Sequence, residues 1–219
     1  MKLTKYSHSC VRFEQDGAVL VVDPGTFSEV EEALQGATAV LITHEHPDHI
    51  ALDRVVAVLQ ADQGIELWAP QPAADAVVAA LGEGSEERVH AVGGGEEFTA
   101  AGVPVRTYGG QHALIHPVIP MIANVGYLIG GSVYHPGDSL IVPDGIGVQT
   151  LLVPVHAPWS KLSEVVDFVT SVRAARAYQI HDGLLNEAGL GTVEGQVTRL
   201  GAPYGTEFRH LDVRESVEV

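Results

Sequence analysis

Little in this sequence can staple a fold covalently. Cys10 is the only cysteine, so an internal disulfide framework is excluded. The expected role for Cys10 is that of a small core hydrophobe. Cations are scarce as well. Twelve lysines and arginines stand against 28 aspartates and glutamates, a formal net charge of −16. Such a chain lacks the means to displace counterions from nucleic acid or to settle on an anionic membrane. No apolar run approaches the roughly 20 residues of a spanning helix. The opening Met1-Lys2-Leu3-Thr4-Lys5-Tyr6 has no apolar stretch behind its charges, so it does not read as a signal peptide. Cytoplasm is the expected compartment.

Internal repeats, low-complexity tracts and linkers are also missing. What remains is 219 residues, 46% hydrophobic and 18% charged. That is too apolar for disorder and long enough to bury a core unaided. A single domain over residues 1–219 is expected. The loosest stretch, Gly82 to Gly95, reads as a surface loop around a short strand near Arg88–Ala91.

The patterning predicts strands first. Val11 and Phe13 alternate with polar neighbours, Asp16-Gly17 supplies a hairpin turn, and Ala18–Val22 is continuous and apolar. Ala39–Ile42, Val103–Tyr108, Val125–Ile129, Val133–His135, Leu151–Val155 and Ala177–Ile180 read as further strands. Leu52, Val55, Val56 and Leu59 fall at helical spacing, as do Ala76, Val77 and Ala80. The clearest amphipathic helix carries Leu162, Val165, Val166, Val169 and Val172, with Ser160 as its expected cap. Val193–Leu200 reads as a short final helix. Strands followed by alternating strands and helices imply an α/β layered architecture, sheets inside and helices outside.

The eleven histidines are the unusual feature. His44-Glu45-His46-Pro47-Asp48-His49 places four potential metal ligands within six residues, directly after an apolar strand. A structural zinc site would be closed and usually rich in cysteine. Here an open, catalytic N/O site is the better reading, against the alternative of a polar turn capping the following helix. Imidazole and carboxylate together suit zinc first, with manganese or iron also compatible.

The hexapeptide has the form H-x-H-x-D-H and resembles the signature of the metallo-β-lactamase superfamily. The resemblance runs along most of the chain. Gly109-Gly110-Gln111-His112, His135-Pro136-Gly137-Asp138-Ser139 and Gln179-Ile180-His181-Asp182-Gly183 each follow a strand, in the family's order. The chain is most similar to the compact ascorbate-6-phosphate-lactonase-like branch, through Ser7-His8-Ser9, Asp23-Pro24-Gly25, Asn124-Val125-Gly126-Tyr127 and His135-Pro136-Gly137-Asp138. The resemblance implies a four-layer αββα sandwich and two divalent ions. His44, His46 and His112 would hold the first ion, Asp48, His49 and His181 the second, and Asp138 would bridge them. It further implies a hydrolase in which a hydroxide bridging the two ions attacks a small ester, lactone or phosphodiester. Asp48 would also handle the hydroxide proton.

Six histidines remain. His90 and His210 sit near no motif. His8, within the first expected strand, is a candidate to orient a ligand. His135 is expected to position the Asp138 loop. His116, four residues past His112, and His156, at a strand end, are candidate catalytic proton donors or substrate contacts, with mere proximity as the competing account. Asp182 and Ser139 adjoin ligands. The apolar segment Leu114–Ile122, with Pro117 and Pro120, reads as a semi-rigid flap beside the metals, with Trp159 opposite. A subunit interface or simple packing is the stronger reading of that segment. An iron-containing oxidoreductase or a non-catalytic metal-binding module are the alternatives to a hydrolase. The expected partner is a small molecule; a homo-oligomer stays open, with no coiled-coil seam to specify it.

Overall fold

The computed structural model describes residues 1–219. Its strands are β1 (Lys2–Lys5), β2 (Val11–Gln15), β3 (Ala18–Val22), β4 (Ala39–Leu41), β5 (Glu66–Ala69), β6 (Val89–Ala91), β7 (Glu97–Ala100), β8 (Val103–Gly109), β9 (Val125–Ile129), β10 (Val133–His135), β11 (Thr150–Pro154), β12 (Arg176–Ile180), β13 (Glu207–Phe208) and β14 (Ser216–Glu218). The helices are α1 (Val30–Ala33), α2 (Leu52–Ala61), α3 (Gln71–Leu81), α4 (Leu162–Val172) and α5 (Glu187–Gly201). No helix is long and apolar enough to cross a membrane.

The strands form two seven-stranded sheets. One runs β14-β1-β2-β3-β4-β5-β6 and the other β13-β12-β11-β10-β9-β8-β7. Each sheet opens as an antiparallel meander and continues as parallel strands: β3 to β6 in the first, β10 to β13 in the second. Parallel strands need crossover helices, which cover the outer faces. Val55, Leu59, Ala73 and Val77 pack α2 and α3 on the first sheet. Val165, Phe168, Val169 and Val197 pack α4 and α5 on the second. Leu3, Phe13, Leu41, Val105, Tyr127 and Leu152 fill the space between the sheets. The result is the expected four-layer sandwich. Cys10 lies fully buried in the first cluster, and burial pushes its thiol up to about 12.

The local differences from expectation have physical causes. Ser160 does not cap α4; its hydroxyl turns back to Ala157. Lys161 is the capping residue, with its N–H donating to Glu164. The last helix begins at Asn186, whose side chain accepts from Gly189 N. It contains four glycines, Gly189, Gly191, Gly195 and Gly201, that dilute its apolar periodicity. The short edge strands β13 and β14 escape periodicity because two or three residues cannot display it.

Parallel strands β4, β10 and β12, together with β8 of the antiparallel part, deliver the ligand candidates to one end of the sandwich, the crevice beyond their carboxyl termini. Residues 43–49 follow β4, His112 follows β8, Asp138 follows β10 and His181 follows β12. Close backbone packing locks this end. A Cβ on Gly25 would sit 1.7 Å from the carbonyl oxygen of Asp48. Gly25→Ala is therefore expected to lower stability by about 2 kcal/mol or more, measured as a reduced urea midpoint with unchanged slope.

Candidate metal centre

Two groups of side chains converge at this end. His44, His46, His112 and Asp138 form one; His8, Asp48, His49 and His181 form the other. Within each group the donor atoms lie within 4.8 Å of one another. His44, His49, His112, His181 and Asp138 are buried, while His46 and Asp48 face the opening.

The hydrogen bonds define which nitrogen each imidazole turns inward. A carbonyl or carboxylate only accepts, so the nitrogen facing it carries the proton. His49 Nδ1 donates to Asp23 Oδ2 at 2.7 Å. His112 Nδ1 donates to Ala113 O at 2.6 Å, and His181 Nδ1 to His156 O at 2.5 Å. The Thr43 hydroxyl gives its proton to Asp23 Oδ2, so His44 Nδ1 donates to Thr43 Oγ1 at 3.0 Å. Four rings thus direct Nε2 into the site. His44 Nε2 lies 3.1 Å from His46 Nδ1, two donor atoms converging on one point.

Three of these four Nε2 nitrogens are orphans. His49, His112 and His181 Nε2 and Asp138 Oδ1 are buried with no hydrogen-bond partner. Buried polar atoms are normally paired, and a cluster of such orphans pointing inward fits a bound cation. Asp138 divides its carboxylate between the groups. Oδ1 lies 3.0 Å from His49 Nε2 and 3.2 Å from His181 Nε2; Oδ2 lies 3.4 Å from His112 Nε2.

Without a cation the site balances charge internally. Burial opposes the charge on Asp138, but the His49 charge and the surrounding rings prevail and hold its carboxyl well below the usual range. Burial likewise opposes a charged His49, yet Asp138 and Asp23 raise it well above the ordinary imidazole value. Burial, helped by the charge on His49, pushes His44 well down. Asp48 is lowered to about 2, with burial outweighed by the His8 hydrogen bond and the His49 charge. Metal binding at His49 must then displace a proton, so affinity falls as pH falls.

Asp23 is the residue that sequence reasoning undervalued. It stands in the Asp23-Pro24-Gly25 turn at positive φ, fully buried. It accepts from Thr43 N, Thr43 Oγ1 and His49 Nδ1. Trp159 is the second surprise: its indole N–H donates to Asp138 Oδ2 at 2.8 Å. The sequence signals were the Asp23-Pro24-Gly25 motif and the place of Trp159 in the loop after β11, neither of which says which atom faces the site.

The remaining candidates sort by geometry. His8 lies past β1 in a turn, not in a strand, with φ of 61°. Its Nδ1 accepts from Gly183 N, so Nε2 carries the proton and donates to Asp48 Oδ2 at 3.1 Å. That arrangement orients Asp48 and spends the nitrogen that would otherwise bind metal. Asp182 holds the His8 backbone and pairs with buried Lys5 at 3.2 Å. His135 bonds Ser9 O and Gly137 N, positioning the Asp138 loop; Ser139 donates to Pro136 O in the same loop. His116 is exposed, with Nδ1 tied to Val118 N. His156 serves the site through its carbonyl. Neither His116 nor His156, the expected catalytic candidates, is among the residues that line the cleft over the ligands: His116 is exposed in the loop after β8, and His156, two residues past the end of β11, offers its carbonyl to His181. His90 stacks on Trp68, and His210 pairs with Glu194, both outside the two groups.

Removing the Asp23 carboxylate unties Thr43 and His49 together. Asp23→Ala is expected to weaken zinc binding by about 10- to 100-fold, measured by calorimetric titration.

The beta-lactamase superfamily domain matches residues 2–181. The Mycobacterium tuberculosis protein Rv0786c is 41% identical over 223 residues, spanning 99% of each chain. A UPF0173 metal-dependent hydrolase of Xanthobacter autotrophicus is 30% identical over 72% of this chain and 68% of its own. A metallo hydrolase of the archaeon Ignicoccus hospitalis shares the fold, with TM-score 0.72 over 99% of this chain and 97% of its own at 16% identity. The chain belongs to the β-lactamase superfamily, has the metallo-β-lactamase fold, and groups with the UPF0173 metal-dependent hydrolases.

Proposed function

We propose that this chain is a hydrolase that holds two divalent ions, zinc foremost, and cleaves a small carboxylic ester or lactone, with phosphodiesters second. The observation that carries this reading is the division of the Asp138 carboxylate between two complete ligand groups. His44, His46 and His112 would hold one ion, Asp48, His49 and His181 the other, with Asp138 shared. Bound ions there supply an ionised water at neutral pH and positive charge for a developing oxyanion.

The chain's own residues supply the rest. The Nε2–H of His8 fixes one oxygen of Asp48, so the carboxylate is oriented to accept a proton at the cleft floor. The Trp159 N–H fixes Asp138 in its shared pose. Phe27, Ile115, Pro158 and Leu184 wall a cleft of about 450 Å³ and limit the water within it. No lysine or arginine lines that cleft. A phosphodiester, or the phosphorylated lactone of the branch that the sequence resembles, would lack a cationic cradle, whereas a neutral ester needs none.

Metal analysis of purified protein, paired with a chromogenic ester and a bis-aryl phosphodiester, tests this. About two equivalents of zinc or manganese are expected, with ester cleavage reduced about 100-fold or more in Asp48→Ala. Iron without cleavage of either substrate would transfer the site to redox chemistry, which the N/O ligand set also accommodates. No metal after reconstitution would sink the reading. Chelation at pH 7 is expected to abolish cleavage and zinc to restore it.

A further inference from the structure

Beside the cleft runs a second cavity of about 210 Å³ that shares His46, His112 and Ile115 with it. Its other walls are Leu114, Ile119, Pro120, Met121 and Ile122, with Ala113 at its base. Apart from the two ligand histidines, no ionisable side chain lines it. The loop that builds it is closed on itself. His112 N donates to Ile122 O, so its ends are joined. Ala113 N donates to Asp138 O, tying the loop to the backbone of the shared carboxylate. Ile119 N donates to His116 O, turning its tip. With Pro117 and Pro120 in the same loop, the groove is preformed and needs little ordering on binding.

We infer that this groove is the subsite for an unbranched aliphatic chain on a neutral ester or lactone, whose carbonyl sits over the ligand groups. The inference deepens the hydrolase reading and rests on it for the identity of the reacting bond. Three observations commit the groove to this occupant. It opens onto His46 and His112, so what fills it is continuous with what sits in the cleft. Its apolar side chains stay open to solvent, Leu114 at 57%, Met121 at 45% and Ile119 at 44%, a cost that burial of hydrocarbon recovers. Its walls carry no cation for a charged ligand. A second copy is the poorer occupant, because chains of net charge −16 repel on approach.

The test uses uncleavable N-methyl alkanamides of four, six and eight acyl carbons as probes. Trp159 fluorescence reports binding, since Trp159 lines the cleft while Trp68 is buried between His90 and Phe98. Affinity is expected to rise about fourfold per methylene, in both the as-purified and zinc-loaded protein. Ile119→Asp is expected to weaken the eight-carbon probe about tenfold or more. Val118→Asp, on the 82%-exposed tip outside the groove, is expected to leave probe affinity unchanged. Affinity independent of chain length overturns the inference. Equal losses in both variants, with concentration-dependent dimers in sedimentation, would overturn it in favour of a copy-to-copy interface. Length-dependent probe binding without cleavage of any ester upholds the groove while the hydrolase reading falls. Ester cleavage indifferent to acyl length and to Ile119→Asp does the reverse.

Discussion

A single buried carboxylate organises the functional end of this protein. Asp23 sits at positive φ between β3 and the metal loop and accepts three hydrogen bonds from two residues of that loop. An isolated buried charge is costly, so the loop must fold around Asp23 to compensate it. In doing so Thr43 is turned to orient His44, and His49 is locked with Nε2 inward. One constraint therefore sets the geometry of both ligand groups. Gly25 reinforces it by letting the turn touch the Asp48 backbone.

The two sheets meet across this end, and neither half builds the site alone. The first contributes residues 43–49 and the second His112, Asp138 and His181. Asp138 is the seam: its carboxylate reaches both groups, Asn124 Oδ1 accepts from its backbone N–H, and Trp159 donates to its side chain. A second network, Lys5 to Asp182 to the His8 backbone, brings the turn after β1 to Asp48 from the other side. The protein is acidic throughout, yet the cleft needs no cationic side chain if ions occupy the orphaned donors.

The layered fold was legible in the sequence wherever a period had room to repeat. Ala18–Val22, Val103–Tyr108 and Leu162–Val172 each carry enough apolar positions to declare themselves. Strand β5 was hidden because Glu66-Leu67-Trp68-Ala69 shows no alternation, and β13 and β14 because edge pairing needs a partner strand rather than a pattern. The seven ligand candidates were legible for a different reason. For His44, His46, Asp48 and His49 it is their spacing, since histidine and aspartate clustered after an apolar strand are expensive to bury unless something binds them; His112, Asp138 and His181 stand alone in the chain and were legible only through the resemblance to the family's motif order. Outside that cluster the chemistry of a lone residue is silent. Asp23 looked like a turn, Trp159 like a wall and His156 like a proton donor, because a linear sequence does not say which atom of a residue faces the site.

The sequence by itself determined the layered α/β class, the ligand types and the paucity of cations, since these follow from residue identity and local period, and the fold family followed from the resemblance of its histidine motif. Only the tertiary structure decided the tautomers, the division of Asp138 between two groups and the exposure of His116. It also joined the apolar loop to the ligand histidines. Those features depend on contacts between residues far apart in the chain, such as Asp23 with His49 and His8 with Asp48. Hydrogen bonds are directional over a few tenths of an ångström, a precision that strand spacing and composition do not carry.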